Sequence, residues 1–261
     1  MRHGLSSFDP EPLADAREAG FDYAEVPVSE LIKPGEPQGA FEDAAARFLA
    51  AGLPIESCNM FLAPGLRCTG PDADHARIAD YAAGVFARLR AAGAATMVFG
   101  SGWARAVPDG WPRERADEQF TSLLASLGPL AEAEGVSLVL EPLARVECNF
   151  LNTPEEGARF ARESGSAAVG VLADSFHWLR NGEGPETIAA ARDRFRHAHV
   201  STVPGRLMPG REPCDLGPFF GALAAIGYDG RVTVEAKAEP PEGRAEKLRL
   251  ALAAMRGWEA R

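Results

Sequence analysis

Cysteine is scarce in this chain and poorly spaced for structural use. The four residues are Cys58, Cys68, Cys148 and Cys214, and no two form a C-x-x-C pair. The spacing suggests neither a zinc knuckle nor a disulfide framework, so free thiols in a reducing compartment are expected. Long apolar runs are also missing. None approaches the roughly 20 residues that span a bilayer, and Met1-Arg2-His3-Gly4-Leu5-Ser6-Ser7-Phe8-Asp9-Pro10 holds no apolar core of signal-peptide length. A soluble cytoplasmic protein with no membrane partner is the expectation. Positive charge is in deficit: 27 Lys and Arg stand against 37 Asp and Glu, a net charge of −10. That balance opposes binding to a phosphate backbone, which needs clustered Lys and Arg, so no nucleic-acid partner is expected. No low-complexity linker divides the chain.

What is present is an alternation. Short apolar strands are predicted at 2–6, 22–27, 55–61, 95–100, 136–141, 168–174, 195–201 and 231–236. Helices are predicted at 11–19, 40–52, 72–93, 115–134, 154–164, 184–194, 216–226 and 242–258. The helix assignments rest on apolar spacing. Ile78, Tyr81, Ala82, Val85, Phe86 and Leu89 share one face, and Phe120, Leu123, Leu124, Leu127 and Leu130 share another. Asp72 or Asp74 is suited to start the third helix and Gly93 to end it. Pro129 should kink the fourth. Thr153, Pro154 and Glu156 read as a helix start. Eight strands in strict alternation with eight helices make a (β/α)₈ TIM barrel, an α/β fold forming one domain over 1–261. An open doubly wound sheet would carry a Gly-rich phosphate turn after its first strand, and Gly4-Leu5-Ser6-Ser7 is not one.

Four consecutive predicted strands end in residues of metal-ligand type: Glu141, Asp174, His199 and Glu235. A parallel barrel delivers its strand ends to one face, so three carboxylates and an imidazole would converge there. Taken singly, each has an ordinary explanation; Asp174-Ser175, for example, would also cap a short helix. Together they form a hard donor set, suited to one divalent ion: Mn²⁺ first, with Mg²⁺ or Co²⁺ as alternatives and Zn²⁺ not excluded. Such an ion polarises a bound oxygen and acidifies the neighbouring C–H, while carboxylates on either side can move the proton. Pro and Gly cluster in 62–71, 102–112 and 203–218, after strands 3, 4 and 7, where barrel enzymes carry substrate loops. Arg105, at the end of Phe99-Gly100-Ser101-Gly102-Trp103-Ala104-Arg105, is a candidate for binding a carboxylate or phosphate. Glu147 and Asn149 are candidates for sugar hydroxyls, and Phe61, Trp103, Trp111 and Trp178 for stacking on a sugar face. Lys237, two residues past Glu235, is a further candidate.

These motifs resemble those of the xylose isomerase-like sugar isomerase and epimerase superfamily, most closely its ketose 3-epimerase and hydroxypyruvate isomerase branch. Glu141-Pro142-Leu143-Ala144-Arg145-Val146-Glu147 resembles the strand-5 motif, Asp174-Ser175-Phe176-His177 the D-x-x-H motif and His197-Ala198-His199-Val200 the H-x-H strand. Tyr228-Asp229-Gly230 followed by Val232-Thr233-Val234-Glu235 resembles the closing G-Y-x-G…E segment. The resemblance implies metal binding by Glu141, Asp174, His199 and Glu235, acid/base roles for Glu141 and Glu235, and substrate contacts from Glu147 and His177. It also implies an Arg soon after the H-x-H strand. Arg206 is the nearest match, with Arg211 as competitor. Where the family usually has an acidic or otherwise polar residue after that strand, Ser201-Thr202-Val203 follows with no carboxylate nearby.

The expected activity is isomerisation or epimerisation of a small sugar or hydroxy-keto compound by proton transfer through a metal-bound enediolate, in a homodimer or homotetramer. Elimination from a keto-sugar or C-glycoside at the same site is the alternative. An endonuclease IV-like nuclease shares the barrel, but it needs several zinc ions and more histidines than the five here. A non-catalytic sugar-binding barrel would not need both Glu141 and Glu235.

Overall fold

The computed structural model describes residues 1–260. Eight strands, β1 (Arg2–Ser6), β2 (Tyr23–Pro27), β3 (Ile55–Asn59), β4 (Thr96–Phe99), β5 (Ser137–Leu140), β6 (Val169–Asp174), β7 (Phe195–Val200) and β8 (Arg231–Val234), close into a barrel in sequence order. Every pairing is parallel, including the closing pair of β1 with β8. Outside it run α1 (Pro10–Ala19), α2 (Val28–Leu31), α3 (Gln38–Leu49), α4 (His75–Ala91), α5 (Gly102–Arg105), α6 (Arg113–Ala133) and α7 (Pro154–Glu163). They continue with α8 (Ser175–Asn181), α9 (Pro185–Ala189), α10 (Gly217–Ala225) and α11 (Arg244–Glu259). The (β/α)₈ architecture expected from the alternation is the one observed.

Local chemistry explains the helix ends. Asp74, not Asp72, caps α4, accepting from the Arg77 N–H at 3.0 Å, and Gly93 follows the helix at φ +89°. Thr153 caps α7 through the Glu156 N–H at 3.1 Å, with Pro154 at its first position. Helix α6 continues through Pro129, and Ala131 rather than Leu130 completes its buried face. The predicted helix 184–194 is shorter, α9 giving way to turns after Ala189.

Alternation along the strands divides the core in two. Outward residues such as Ala198, Val200, Val232 and Val234 join the large apolar layer under the helices. Phe61, Phe99, Phe120 and Phe160 interlock there at centroid distances of 5.1–5.7 Å, and each fully buried ring contributes about 1.5–3 kcal/mol. Inside the barrel, Val98, Val139 and Leu172 form a separate apolar cluster. The other side of the interior is polar, with Tyr23, Glu25, Ser57, His197, His199 and Thr233 all fully buried. Gly4 makes room for the Tyr23 ring; a Cβ there would lie 2.3 Å from it.

Candidate active site and metal centre

Register brings the four strand-end residues together. Asp174 on β6 pairs directly with His199 on β7. His199 pairs with Thr233 on β8, two residues before Glu235. Glu141 follows β5 at once. One donor atom from each of Glu141, Asp174, His199 and Glu235 lies within 4.8 Å of the others. His199 Nδ1 is 3.1 Å from Glu141 Oε1 and 3.6 Å from Glu235 Oε2. Gly100 permits this, since a Cβ there would stand 2.2 Å from Glu141 Oε2.

The two oxygens of Asp174 have different surroundings. Its Oδ1 caps α8, accepting from the Phe176 N–H at 2.7 Å, while Oδ2 is buried without a hydrogen-bond partner. A buried carboxylate oxygen left bare is costly. Three carboxylates and one imidazole, with one oxygen unpartnered and aimed into the cluster, fit a divalent cation with hard-ligand preference. Burial, and next the Glu235 carboxylate, push Glu141 up from its ordinary pKa. At Glu235 burial acts upward too, but His199 and then Arg206 outweigh it and hold the carboxyl at about 2.

Around this cluster, His177 is buried, and its Nδ1 accepts the Ala144 N–H at 3.1 Å. The remaining nitrogen, Nε2, therefore carries the proton, and it faces Asp174 Oδ2 at 3.7 Å. Glu147 Oε1 lies 3.9 Å from both His177 Nδ1 and Arg180 Nη1. Arg206 enters the site. Its Nη2 donates to Glu235 Oε2 at 2.6 Å and lies 3.5 Å from Asp174 Oδ2, and its guanidinium stacks over Phe176 at 4.8 Å. Arg211 pairs instead with Glu239 at 3.0 Å. After Ser201-Thr202-Val203, the Glu212 carboxylate folds back to accept from Thr202 Oγ1 and the Gly205 N–H.

Other candidates lie elsewhere. Arg105 is fully buried behind Glu141, where its Nη2 donates to the Glu141 carbonyl at 2.8 Å. Asn149 spends its amide on both backbone groups of Val107. Phe61 and Trp178 pack in the core, while Trp103 remains exposed. Two contributors were not anticipated. Asn59 Nδ2 donates to Glu235 Oε1 at 3.0 Å, and Glu25 lies beneath His199, 3.0 Å from its Nε2. The only sequence signal for Glu25 is a charge in the middle of a short apolar strand. A cavity of about 320 Å³ opens beside Glu235 and Asn59, with Phe8, Met60, Met208, Lys237 and Leu248 among its walls. Among the described residues, no helix is long and apolar enough to cross a membrane.

A family model, the xylose isomerase-like TIM barrel, matches residues 13–257. The chain belongs to that family. Among relatives of this xylose isomerase-like barrel, a D-psicose 3-epimerase of Enterocloster bolteae is 34% identical over 113 residues, 43% of this chain and 37% of the relative. An L-ribulose 3-epimerase of Mesorhizobium japonicum is 30% identical over 128 residues, 49% and 41% of the respective chains. The chain thus spans about two-fifths of the length of these curated relatives. The solved D-psicose 3-epimerase from Clostridium cellulolyticum H10, crystallised with D-tagatose, superposes with a TM-score of 0.85 over 99% of both chains at 20% identity, a likeness of fold.

Proposed function

We propose that this protein is a divalent-metal-dependent isomerase or epimerase of a small sugar or hydroxy-keto compound. The observation that carries the reading is the approach of two carboxylates, from β5 and β8, to one imidazole nitrogen at 3.1 and 3.6 Å. The partial matches to ketose 3-epimerases support the substrate class. The cavity beside Glu235 suits a small molecule.

Glu141, Asp174, His199 and Glu235 would hold the ion, with Mn²⁺ the first choice for so hard a set. When bound, it supplies Lewis-acid stabilisation of negative charge beside the reacting carbon. The protein's own residues do the rest. One of Glu141 and Glu235 takes the proton next to the carbonyl and leaves an enediolate. The other returns a proton to the opposite face in epimerisation, or to the neighbouring carbon in isomerisation. His177 donates through Nε2 to a substrate oxygen. The Arg206 guanidinium offers a second charged donor, and Glu147 accepts from a hydroxyl. Arg105 acts on substrate only through the Glu141 backbone that it holds. The cysteines are free thiols, in keeping with a cytoplasmic enzyme.

The test is incubation with a panel of ketoses and hydroxy-keto acids in D₂O with Mn²⁺. Solvent deuterium is expected at the carbon beside the carbonyl and should disappear with chelator. Glu141→Gln and Glu235→Gln should each slow turnover by roughly 10² or more. Activity after complete metal removal would sink the metal-dependent reading, and a dehydrated product without isomer would identify a lyase.

A further inference from the structure

Below the ligand cluster lies a second group of polar residues that proton transfer does not use. Glu25 projects from β2 into the barrel and is fully buried. It accepts from Ser57 Oγ at 2.7 Å, and its Oε2 stands 3.0 Å from His197 Nε2 and 3.3 Å from Thr233 Oγ1. His199 Nε2 lies 3.0 Å from Glu25 Oε1 and 3.3 Å from Oε2. Thr233 is in turn tied to Tyr23 OH at 2.8 Å. Donors from β3, β7 and β8 thus meet on one carboxylate.

The two nitrogens of His199 face different partners. Nε2 points down to Glu25, and Nδ1 points up to Glu141 and Glu235. A carboxylate oxygen accepts, so at these separations His199 Nε2 is the donor and carries the proton. Nδ1 is the nitrogen left with a lone pair for a cation.

We propose that Glu25 is the positioning residue of this centre: by holding the Nε2–H of His199, it fixes the ring plane and turns Nδ1 toward Glu141, Asp174 and Glu235. The inference rests on the metal-dependent reading above. Glu25, His197 and His199 also lie close enough together to form a metal group of their own. The donors all meet on Glu25 Oε2 and make it a hydrogen-bond hub, while Oε1 is buried with no hydrogen-bond partner, 3.0 Å from His199 Nε2, so a second metal on this group is an outcome the experiment must read. Carboxylates behind a ligating histidine commonly set its tautomer and basicity, and losing one typically costs 10–100-fold in metal affinity.

The experiment uses the full chain with Co²⁺ as probe. Titration calorimetry on the wild type should give one site. Proton NMR of the loaded protein should show a far-shifted, slowly exchanging imidazole N–H, the Nε2–H of His199 sealed against Glu25. Glu25→Gln should weaken Co²⁺ binding by about 10–100-fold and move or remove that signal. Ser57→Ala trims the same hub without touching His199; it should change the affinity less than about threefold and leave the resonance in place. A loaded wild type with no protected imidazole proton overturns the proposal without any variant. So does Glu25→Gln binding as tightly as wild type, an equal loss in Ser57→Ala, or a second Co²⁺ site abolished by Glu25→Gln. A wild type that binds no Co²⁺, Mn²⁺ or Mg²⁺ overturns the metal-dependent reading and this inference together.

Discussion

Gly100→Ala separates the geometry of the site from the stability of the barrel. A Cβ at that position would lie 2.2 Å from Glu141 Oε2, while Glu141 Cδ is 3.4 Å away and Cβ 4.0 Å. Relaxing the contact to an ordinary carbon–oxygen separation needs the carboxylate to retreat by about 1 Å. The colliding atom is the end of a flexible side chain, so the fold yields easily, and a loss of less than about 1 kcal/mol is expected. The centre yields badly. Glu141 Oε1 is held 3.1 Å from His199 Nδ1, and a displacement near 1 Å can cost about 10²-fold in rate. Gly100→Ala should therefore melt within about 4 °C of wild type, yet bind Mn²⁺ about tenfold or more weakly and turn over about 10²-fold slower. Calorimetric titration with Mn²⁺, thermal unfolding and the deuterium-exchange assay read the three quantities. Wild-type metal affinity and turnover in a folded variant would refute the reasoning, because the Glu141 carboxylate would then not occupy the place described.

Other expectations follow from the same contacts. Arg206→Ala should raise KM by about tenfold or more without weakening Mn²⁺ binding, since a guanidinium 3.5 Å from Asp174 Oδ2 repels a cation; Arg211→Ala, which loses only the pair with Glu239, should change KM less than about twofold. Burial raises the Glu183 carboxyl from 4.5 to about 7, so the folded state holds a proton that the unfolded state has lost between those pH values, and stability falls across that window as pH rises. Glu183→Gln should remove this loss, gaining on the order of 1–2 kcal/mol at pH 8 after allowance for partial exposure and nothing near pH 4.5, read as Tm at both pH values. Gly157→Ala would put a Cβ 2.5 Å from Val171 Cγ2; with a stiff β-branched neighbour, overpacking of about 1–3 kcal/mol should exceed the helix-propensity gain and lower Tm by a few degrees.

The legible part of the site was the part tied to strand ends. Glu141, Asp174 and Glu235 each close an apolar run and His199 ends the His197-Ala198-His199 strand motif, and parallel topology turns that linear fact into convergence. Residues whose contribution depends on a loop path or on depth in the barrel were harder to read. Arg105 looks like a mouth residue by its distance from β4, but α5 folds it back under Glu141. Glu212 reaches Thr202 only because the chain after β7 doubles back, with the Arg206 N–H bonded to the Thr202 carbonyl at 2.9 Å. Glu25 had no motif around it. Its neighbours Ser57, His197 and Thr233 come from three other strands, and nothing local announces such a meeting. Helix boundaries were read to within a few residues where caps such as Asp74 and Thr153 mark them, and least well after Ala189, where turns replace the predicted helix.

The divided duty of Asp174 has a consequence for how this protein can drift. One oxygen caps the helix that carries His177, and the other faces the proposed metal site. A change to Ala would strip both at once, so a lost ligand would look in an assay like a misplaced substrate contact. Asn would keep the cap through Oδ1 and give up the charge together with the cluster-facing oxygen, which becomes an NH₂. A descendant abandoning metal chemistry while keeping its pocket therefore has a narrow path at this position, through Asn, and a screen of random substitutions there would score two separable properties as one.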